Sequence, residues 1–106
     1  MLDLNVGTPA KIQLDATDQR PSAVAGLQAS ADGSSLLVGV WGDPCTAIAA
    51  VDLVESDTEI RVGVTVGRAP GAGDVCAEIA QLSVVTMPLA SPVGSRTLTD
   101  VNMVTG

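Results

Sequence analysis

The sequence contains no histidine, phenylalanine or tyrosine, and its only aromatic residue is Trp41. Histidine is the commonest general base and the commonest metal ligand, so its absence excludes the Ser/His/Asp and Cys/His nucleophile systems. A core without other aromatic rings must be built from Val, Leu, Ile, Ala and Met. We therefore expect an aliphatic core, and no pattern in the sequence assigns a cofactor or an enzymatic activity.

Basic residues are also scarce. The chain has 5 Lys and Arg against 12 Asp and Glu, which gives a net charge of -7. Such an acidic chain repels nucleic-acid phosphates and anionic lipid. No apolar run approaches the roughly 20 residues of a membrane-spanning helix, and residues 1–7 lack the features of a secretion signal. The sequence predicts no nucleic-acid partner and no direct membrane insertion by this chain, which is either cytosolic or exported with its signal removed.

With 106 residues, the chain is expected to form one domain over residues 1–106. Its clearest pattern is the segment Thr58–Gly67, where alternate residues are Ile or Val, as in a half-buried strand. The preceding segment Thr46–Glu55 is apolar and is predicted as its hairpin partner. A helix is the alternative for residues 46–55, because Ile48, Val51 and Val54 also fall at threefold spacing.

A second hairpin is predicted from Ala23–Ser30 and Leu36–Trp41, which flank an Asp-Gly turn. Val75–Met87 is a long apolar segment, either strand or helix, and Arg96–Met103 is predicted as a final strand. Residues 15–22 are expected to form a surface loop or linker. About six to eight short strands indicate an all-β fold, either an antiparallel sandwich or a small barrel.

Three residues near loops are candidates for binding: Trp41, Arg68 and Asp74. Trp41 either fills the core or is an exposed contact residue. Arg68 and Asp74 flank a Gly-rich loop that matches neither the dinucleotide nor the Walker pattern, so a solvated loop is favoured over a phosphate site. Arg96 and Asp100 fall four residues apart on one strand face, and we interpret them as structural.

Four acidic residues surround the predicted turn of the first hairpin: Asp52, Glu55, Asp57 and Glu59. Carboxylates in such a group can bind calcium or act as acid and base in catalysis. They lack the spacing of an EF-hand loop, however, and the single aromatic gives little surface for stacking a sugar. A solvated hairpin end is the favoured interpretation, and a calcium module or carboxylate enzyme is the alternative.

The sequence has two cysteines, Cys45 and Cys76. Their spacing is not that of a Cys-x-x-Cys redox motif, and a zinc site would need carboxylates in place of histidine. An even number of cysteines in a small acidic domain favours a structural disulfide. Such a bridge would close a loop of about 31 residues and contribute about 3.7 kcal/mol to stability.

The order of several motifs resembles that of small exported proteins and lipoprotein domains of high-GC Gram-positive, actinobacterial species. The resemblance covers residues 36–101, and its most specific part is Pro92-Val-Gly-x-Arg96-x-Leu98-x-Asp100, which follows the second cysteine. Val93 stands where that group usually has leucine. The resemblance implies an exported β domain with paired cysteines, and it implies no activity.

From these observations we expect a non-enzymatic, exported binding or scaffold domain with an unknown protein partner. Its contact regions are predicted at residues 67–74 and 15–22. An open sheet also exposes an edge strand, so a homodimer formed through a sheet edge is a further expectation.

Overall fold

The computed structural model describes residues 4–71 and 79–101, and this part of the chain is all-β. It begins with a short 3-10 helix at Leu4–Val6. Eight strands follow in the described residues: β1 Thr8–Pro9, β2 Thr17–Ser22, β3 Gly26–Ala29, β4 Ser35–Gly42, β5 Thr46–Glu55, β6 Glu59–Arg68, β7 Gln81–Pro88 and β8 Thr97–Asp100. The predicted all-β class and both predicted hairpins, β3–β4 and β5–β6, are confirmed.

The strands form two mixed sheets. The first sheet has the order β1-β7-β4-β3, and the second has the order β2-β6-β5, with β8 also paired to β6. Two of the pairings, β1–β7 and β6–β8, are parallel. The expected antiparallel arrangement is therefore correct only in part: β1 and β8 pair in parallel, because neither is the hairpin partner of the strand beside it.

One core lies between the two sheets, an arrangement consistent with a β-sandwich. Its buried residues come from β4 and β7 on one side and from β5 and β6 on the other. They are joined by Val93 from the loop before β8: Leu36, Val38, Val40, Val85, Ile48, Ile60, Val62, Val64, Val66 and Val93. As the alternation predicts, every second residue of β6 from Ile60 to Val66 belongs to this core. The core is entirely aliphatic in the described residues.

A β-bulge at Ala49 changes which face of β5 points inward. Ile48 pairs with Val66, and Ala50 pairs with Thr65, so Ala49 is the extra residue. Before the bulge Ile48 enters the core, and after it Val51 and Leu53 pack there. Because of the bulge, core-facing residues of β5 are three positions apart at Ile48 and Val51, which is also the spacing expected for a helix. The helical alternative for residues 46–55 is wrong.

β2 is the element that the sequence failed to predict, since residues 15–22 were expected to form a loop or linker. β2 pairs with the C-terminal half of β6, from Thr17 opposite Arg68 to Ser22 opposite Val64. Its side chains are exposed apart from the half-buried Ser22, so it carries no hydrophobic alternation. Backbone pairing with β6 is what makes this polar segment a strand.

The chain reaches β2 by crossing the second sheet over small residues. Ala16 packs with Ala47, Ala49 and Ala69 in a separate buried cluster. At Gly67 in β6, an added Cβ atom would lie 2.5 Å from the backbone oxygen of Thr17. The crossing is thus possible only because β6 has no side chain at this position.

Candidate binding cleft

Trp41 lies near the C-terminal end of β4 and does not fill the core. Its side chain is 54% exposed, and Leu82 of β7 is its partner across the first sheet. In β4 the core takes Leu36, Val38 and Val40, so Trp41 belongs to the opposite, outer face. Of the two interpretations of Trp41, the exposed contact residue is the one that this geometry fits.

Beside Trp41 a cleft of about 370 Å³ opens between the two sheets. Its walls come from β2, from the end of β4 with the turn that follows, and from the residues before β7. The lining residues are Arg20, Pro21, Ser22, Trp41, Gly42, Asp43, Thr46, Val66, Ile79 and Ala80. Ile79 is 63% exposed, so the lining includes two large exposed apolar residues and one arginine.

The cleft exists because neighbouring strands differ in length. β7 pairs with all eight residues of β4, from Ser35 to Gly42. On the other side of β4, β3 pairs only with residues 36–39. The last three residues of β4 therefore have no β3 residue opposite them, and the space beside them is the cleft.

The charged residues that line the cleft are Arg20 and Asp43. Arg20 also lines an adjoining cavity of about 150 Å³, together with Arg68, Asp18 and Asp43. Within residues 4–71 and 79–101 neither arginine forms an ion pair. The Nη1 atom of Arg20 is 3.4 Å from the backbone oxygen of Asp18.

Asp43 is the acidic residue of the cleft wall, and its carboxylate is already engaged in the turn between β4 and β5. Oδ1 of Asp43 accepts hydrogen bonds from the Cys45 amide at 2.9 Å and from the Thr46 hydroxyl at 3.0 Å. The turn at residues 42–45 is thus held by a side-chain cap. Arg20 is thus the charged residue of the cleft whose side chain is not engaged by another side chain within the described residues.

Of the other predicted binding residues, Arg68 ends β6 next to this region, and Asp74 lies outside the described residues. Cys76 lies outside them too, so the Cys45–Cys76 bridge stays a prediction. Arg20 and Ile79 were missed by the sequence analysis. Arg20 stood in a segment without periodicity, and its one signal was a basic residue in a chain with only 5.

A second cavity, of about 470 Å³, lies around Arg96 at the opposite end of the sandwich. The five N–H donors of this guanidinium are matched by five acceptors: Val93 O, Glu55 Oε1, Ser56 O, Ser91 O and Pro92 O, at 2.9–3.4 Å. The side chain of Arg96 is only 9% exposed. Arg96 therefore organises the loop before β8 and has no donor left for a ligand.

Asp100, the other residue predicted as structural, also binds the backbone. Its Oδ2 accepts a hydrogen bond of 2.7 Å from the amide of Val24. Val24 lies in the segment that leads from β2 in the second sheet to β3 in the first, and it packs against the core. Asp100 thus fixes one of the connections between the sheets.

The four acidic residues around the β5–β6 turn do not form a common site. Glu55 faces Arg96, and its Oε2 accepts the Ala90 amide at 3.0 Å. This backbone hydrogen bond, together with Arg96, holds the pKa of Glu55 below its ordinary value, against the effect of partial burial. Glu59 instead accepts a hydrogen bond from Thr99, while Asp52 and Asp57 are exposed.

Among the described residues no group of three or more Cys, Asp or Glu side chains could hold a metal ion. The calcium-site alternative centred on residues 52–59 therefore has no support in the arrangement of these carboxylates. The described residues also include no helix of the length and apolarity needed to span a bilayer.

Comparisons with protein-family models, curated proteins and solved structures found no match to this chain.

Proposed function

We propose that this chain is a non-enzymatic, exported binding domain and that its ligand binds in the cleft beside Trp41. The observation that carries the proposal is the position of Trp41: the only aromatic ring of the protein is more than half exposed at the wall of a cavity. Tryptophan and arginine are the side chains most enriched among residues that dominate binding energy. The cleft contains both.

The cleft is built on rigid elements, which favours a binding function. Trp41 and Arg20 lie on strands that pair with β7 and β6, so their backbones are fixed by the two sheets. The floor of the cleft includes Val66, which is 4% exposed and belongs to the main core. A site of this kind is largely formed before its ligand arrives, and less conformational entropy is lost on binding.

The proposal of export rests on the cysteines and on the resemblance to exported actinobacterial domains. Cys45 begins the approach to β5, and no free cysteine occurs in the described part of the chain. We propose that Cys45 is bridged to Cys76, the other cysteine of the sequence. A structural disulfide of this kind persists in an oxidising compartment rather than in the cytosol.

The predicted homodimer remains a separate proposal, and three of the described edge strands bear features that oppose pairing with a second copy. β5 has a bulge and carries Asp52, β2 has an irregular register and contains Pro21, and β1 is only two residues long. Light scattering on the purified chain tests it: a monomer at all concentrations would exclude this dimer.

The binding proposal is tested with three immobilised forms of the protein: wild type, Trp41→Ala and Val54→Ala. Val54 is 62% exposed on the outer face of the second sheet, so its variant removes exposed apolar surface away from the cleft. Each form is incubated with a cell-envelope extract from the source organism. A protein retained by wild type and Val54→Ala but lost by Trp41→Ala supports the proposal, and equal retention by all three contradicts it.

A further inference from the structure

The cleft lies where a further strand of the first sheet could pair with the end of β4. The oxygen atoms of Ser35 and Gly39 in β4 accept hydrogen bonds from Ser30 and Ala25, on the β3 side. Backbone groups of a strand point alternately to its two sides, so odd-numbered residues of β4 face β3. Trp41 is the next odd-numbered residue, and its N–H and C=O point to the side where β3 has no partner for it.

The opposite wall places a cation next to this open backbone. In β2, Arg20 is paired with Val66 and Ser22 with Val64. Directly opposed residues in an antiparallel pair project from the same face of the sheet. Because Val64 and Val66 face the core between the sheets, Arg20 and Ser22 project toward the first sheet and hence into the cleft.

Within the described residues the guanidinium of Arg20 has no carboxylate partner, which favours a ligand that carries one. Arg20 is the basic residue of the cleft, and the adjoining cavity is lined by Arg20 and Arg68 together with Asp18 and Asp43. Asp43 also lines the cleft, and its Oδ1 atom accepts hydrogen bonds from the Cys45 amide and the Thr46 hydroxyl. A planar guanidinium binds a carboxylate with two directed hydrogen bonds.

We propose that the ligand is an extended peptide segment of a partner protein, which adds to the first sheet as a short strand beside Trp41. An acidic side chain of this peptide pairs with Arg20. Its backbone bonds to the N–H and C=O of Trp41, and a neighbouring apolar side chain covers the indole ring. This inference rests on the proposed function, because it names the ligand of the same cleft.

Strand addition accounts for the open backbone at Trp41 and for the guanidinium of Arg20 beside it. Main-chain hydrogen bonds give affinity to any extended segment, and alternate side chains give specificity. The open part of β4 beyond the position of Ala25, Trp41–Gly42, is about 7 Å long at about 3.4 Å per residue, so it accommodates about two residues of an added strand.

The test uses the emission of Trp41, which is the only tryptophan of the protein. The probes are capped pentapeptides of alternating threonine and valine with a central glutamate, glutamine or lysine. A fourth peptide has the glutamate and methylated backbone nitrogens, which cannot donate to β4. We expect the glutamate peptide to bind about tenfold more tightly than the glutamine peptide, as one charge-assisted hydrogen bond allows, and we expect methylation to abolish its binding.

The variants assign this preference to Arg20. In Arg20→Gln the glutamate and glutamine peptides should bind within about twofold of each other. The matched control is Arg61→Gln, which makes the same charge change on an exposed side chain of the second sheet and should keep the tenfold preference.

Three results would overturn the inference: equal affinity for the glutamate and glutamine peptides, tighter binding of the lysine or methylated peptide, or no binding of any peptide. An uncapped glutamine peptide that binds more tightly than the capped glutamate peptide would assign the carboxylate to a chain terminus and would also overturn it. None of these results bears on the retention experiment with Trp41→Ala. Failure of the ligand class is therefore distinguishable from failure of the proposed function.

Discussion

The guanidinium of Arg96 lies against the carboxylate of Glu55, with Nη1 of Arg96 3.2 Å from Oε1 of Glu55. The other oxygen of Glu55 accepts the amide of Ala90. Through these two contacts the loop between β7 and β8 is fastened to the end of the β5–β6 hairpin. The pair explains why β8 can lie parallel to β6 although it follows a strand of the other sheet.

Replacing Arg96 with Gln should lower the free energy of unfolding by about 2 kcal/mol, because hydrogen bonds to charged groups are lost and loop carbonyls lose their donors. Arg96→Lys should recover only a minor part, since an ammonium group cannot span the same five acceptors. Denaturant unfolding measures both values. Arg61→Gln is the control and should change stability by less than about 0.5 kcal/mol; an equal loss in both Gln variants would contradict the role of Arg96.

Asp32 should make stability depend on pH in strongly acidic solution. Hydrogen bonds from the amide of Ser34 and the hydroxyls of Ser34 and Ser30 lower the pKa of Asp32 from 3.8 to about 2. A carboxylate whose pKa is lower in the folded state stabilises the fold above its unfolded pKa, and this contribution disappears as the pH falls through the folded value.

The stability difference between wild type and Asp32→Asn should therefore be constant from neutral pH to about pH 5 and should shrink between about pH 4 and pH 2. Denaturant unfolding at a series of pH values measures it. Ser34→Ala removes one donor and should raise the pKa of Asp32 in an NMR titration. A wild-type advantage that is as large at pH 2 as at pH 7 would rule out this mechanism.

Gly67 and Gly33 should tolerate different substitutions, because different constraints act on them. An added Cβ at Gly67 meets the Thr17 backbone oxygen at 2.5 Å, whereas Gly33 has open space but a φ of 76°. We expect Gly67→Ala to cost about 2 kcal/mol through overpacking and Gly33→Ala about 1 kcal/mol through backbone strain.

Asparagine separates the two mechanisms. Asn adopts the left-handed conformation readily, so Gly33→Asn should be more stable than Gly33→Ala. Gly67→Asn should be no better than Gly67→Ala, since any Cβ meets the crossing chain. Thermal unfolding of the four variants checks the order, and rescue of Gly67 by Asn would show that strain rather than crowding acts there.

The proposed Cys45–Cys76 bridge should leave no cysteine open to alkylation in denatured, non-reduced protein prepared under oxidising conditions. Intact mass measures this, and the same sample treated with reductant should take up two labels. Reduction should lower stability by about 3.7 kcal/mol, the value for a loop of about 31 residues. Two labelled thiols without reductant would refute the bridge and remove a main support for export.

The sequence predicts those parts of the fold in which side chains alternate between core and solvent. β6 has buried Ile and Val at every second position, so its core-facing residues follow from the pattern, and its predicted bounds differ by one residue at each end. β2 has no such pattern, because its side chains are exposed or half-buried and its pairing is made by the backbone. The parallel position of β8 depends on the contacts of Arg96, which lie between residues far apart in sequence.

The candidate site was predicted only in part. Trp41 stood out because it is the only aromatic residue, but the sequence did not show on which face of β4 it lies relative to the core. The cleft itself results from the different lengths of β3 and β4, and periodicity does not determine where two strands stop pairing. Arg20 belongs to the unpredicted strand β2, so its position opposite Trp41 was not accessible from the sequence.

The passage of the chain over Gly67 sets an order for folding. The β5–β6 hairpin is made of contacts close in sequence, whereas β2 pairs with residues more than forty positions away. Loop closure is slower for distant contacts, and residues 13–17 have no surface to cross until the hairpin exists. Although β2 is synthesised before β5 and β6, we expect it to join the sheet after they have paired. Its φ-values should be near zero, and those in β5 and β6 should be high.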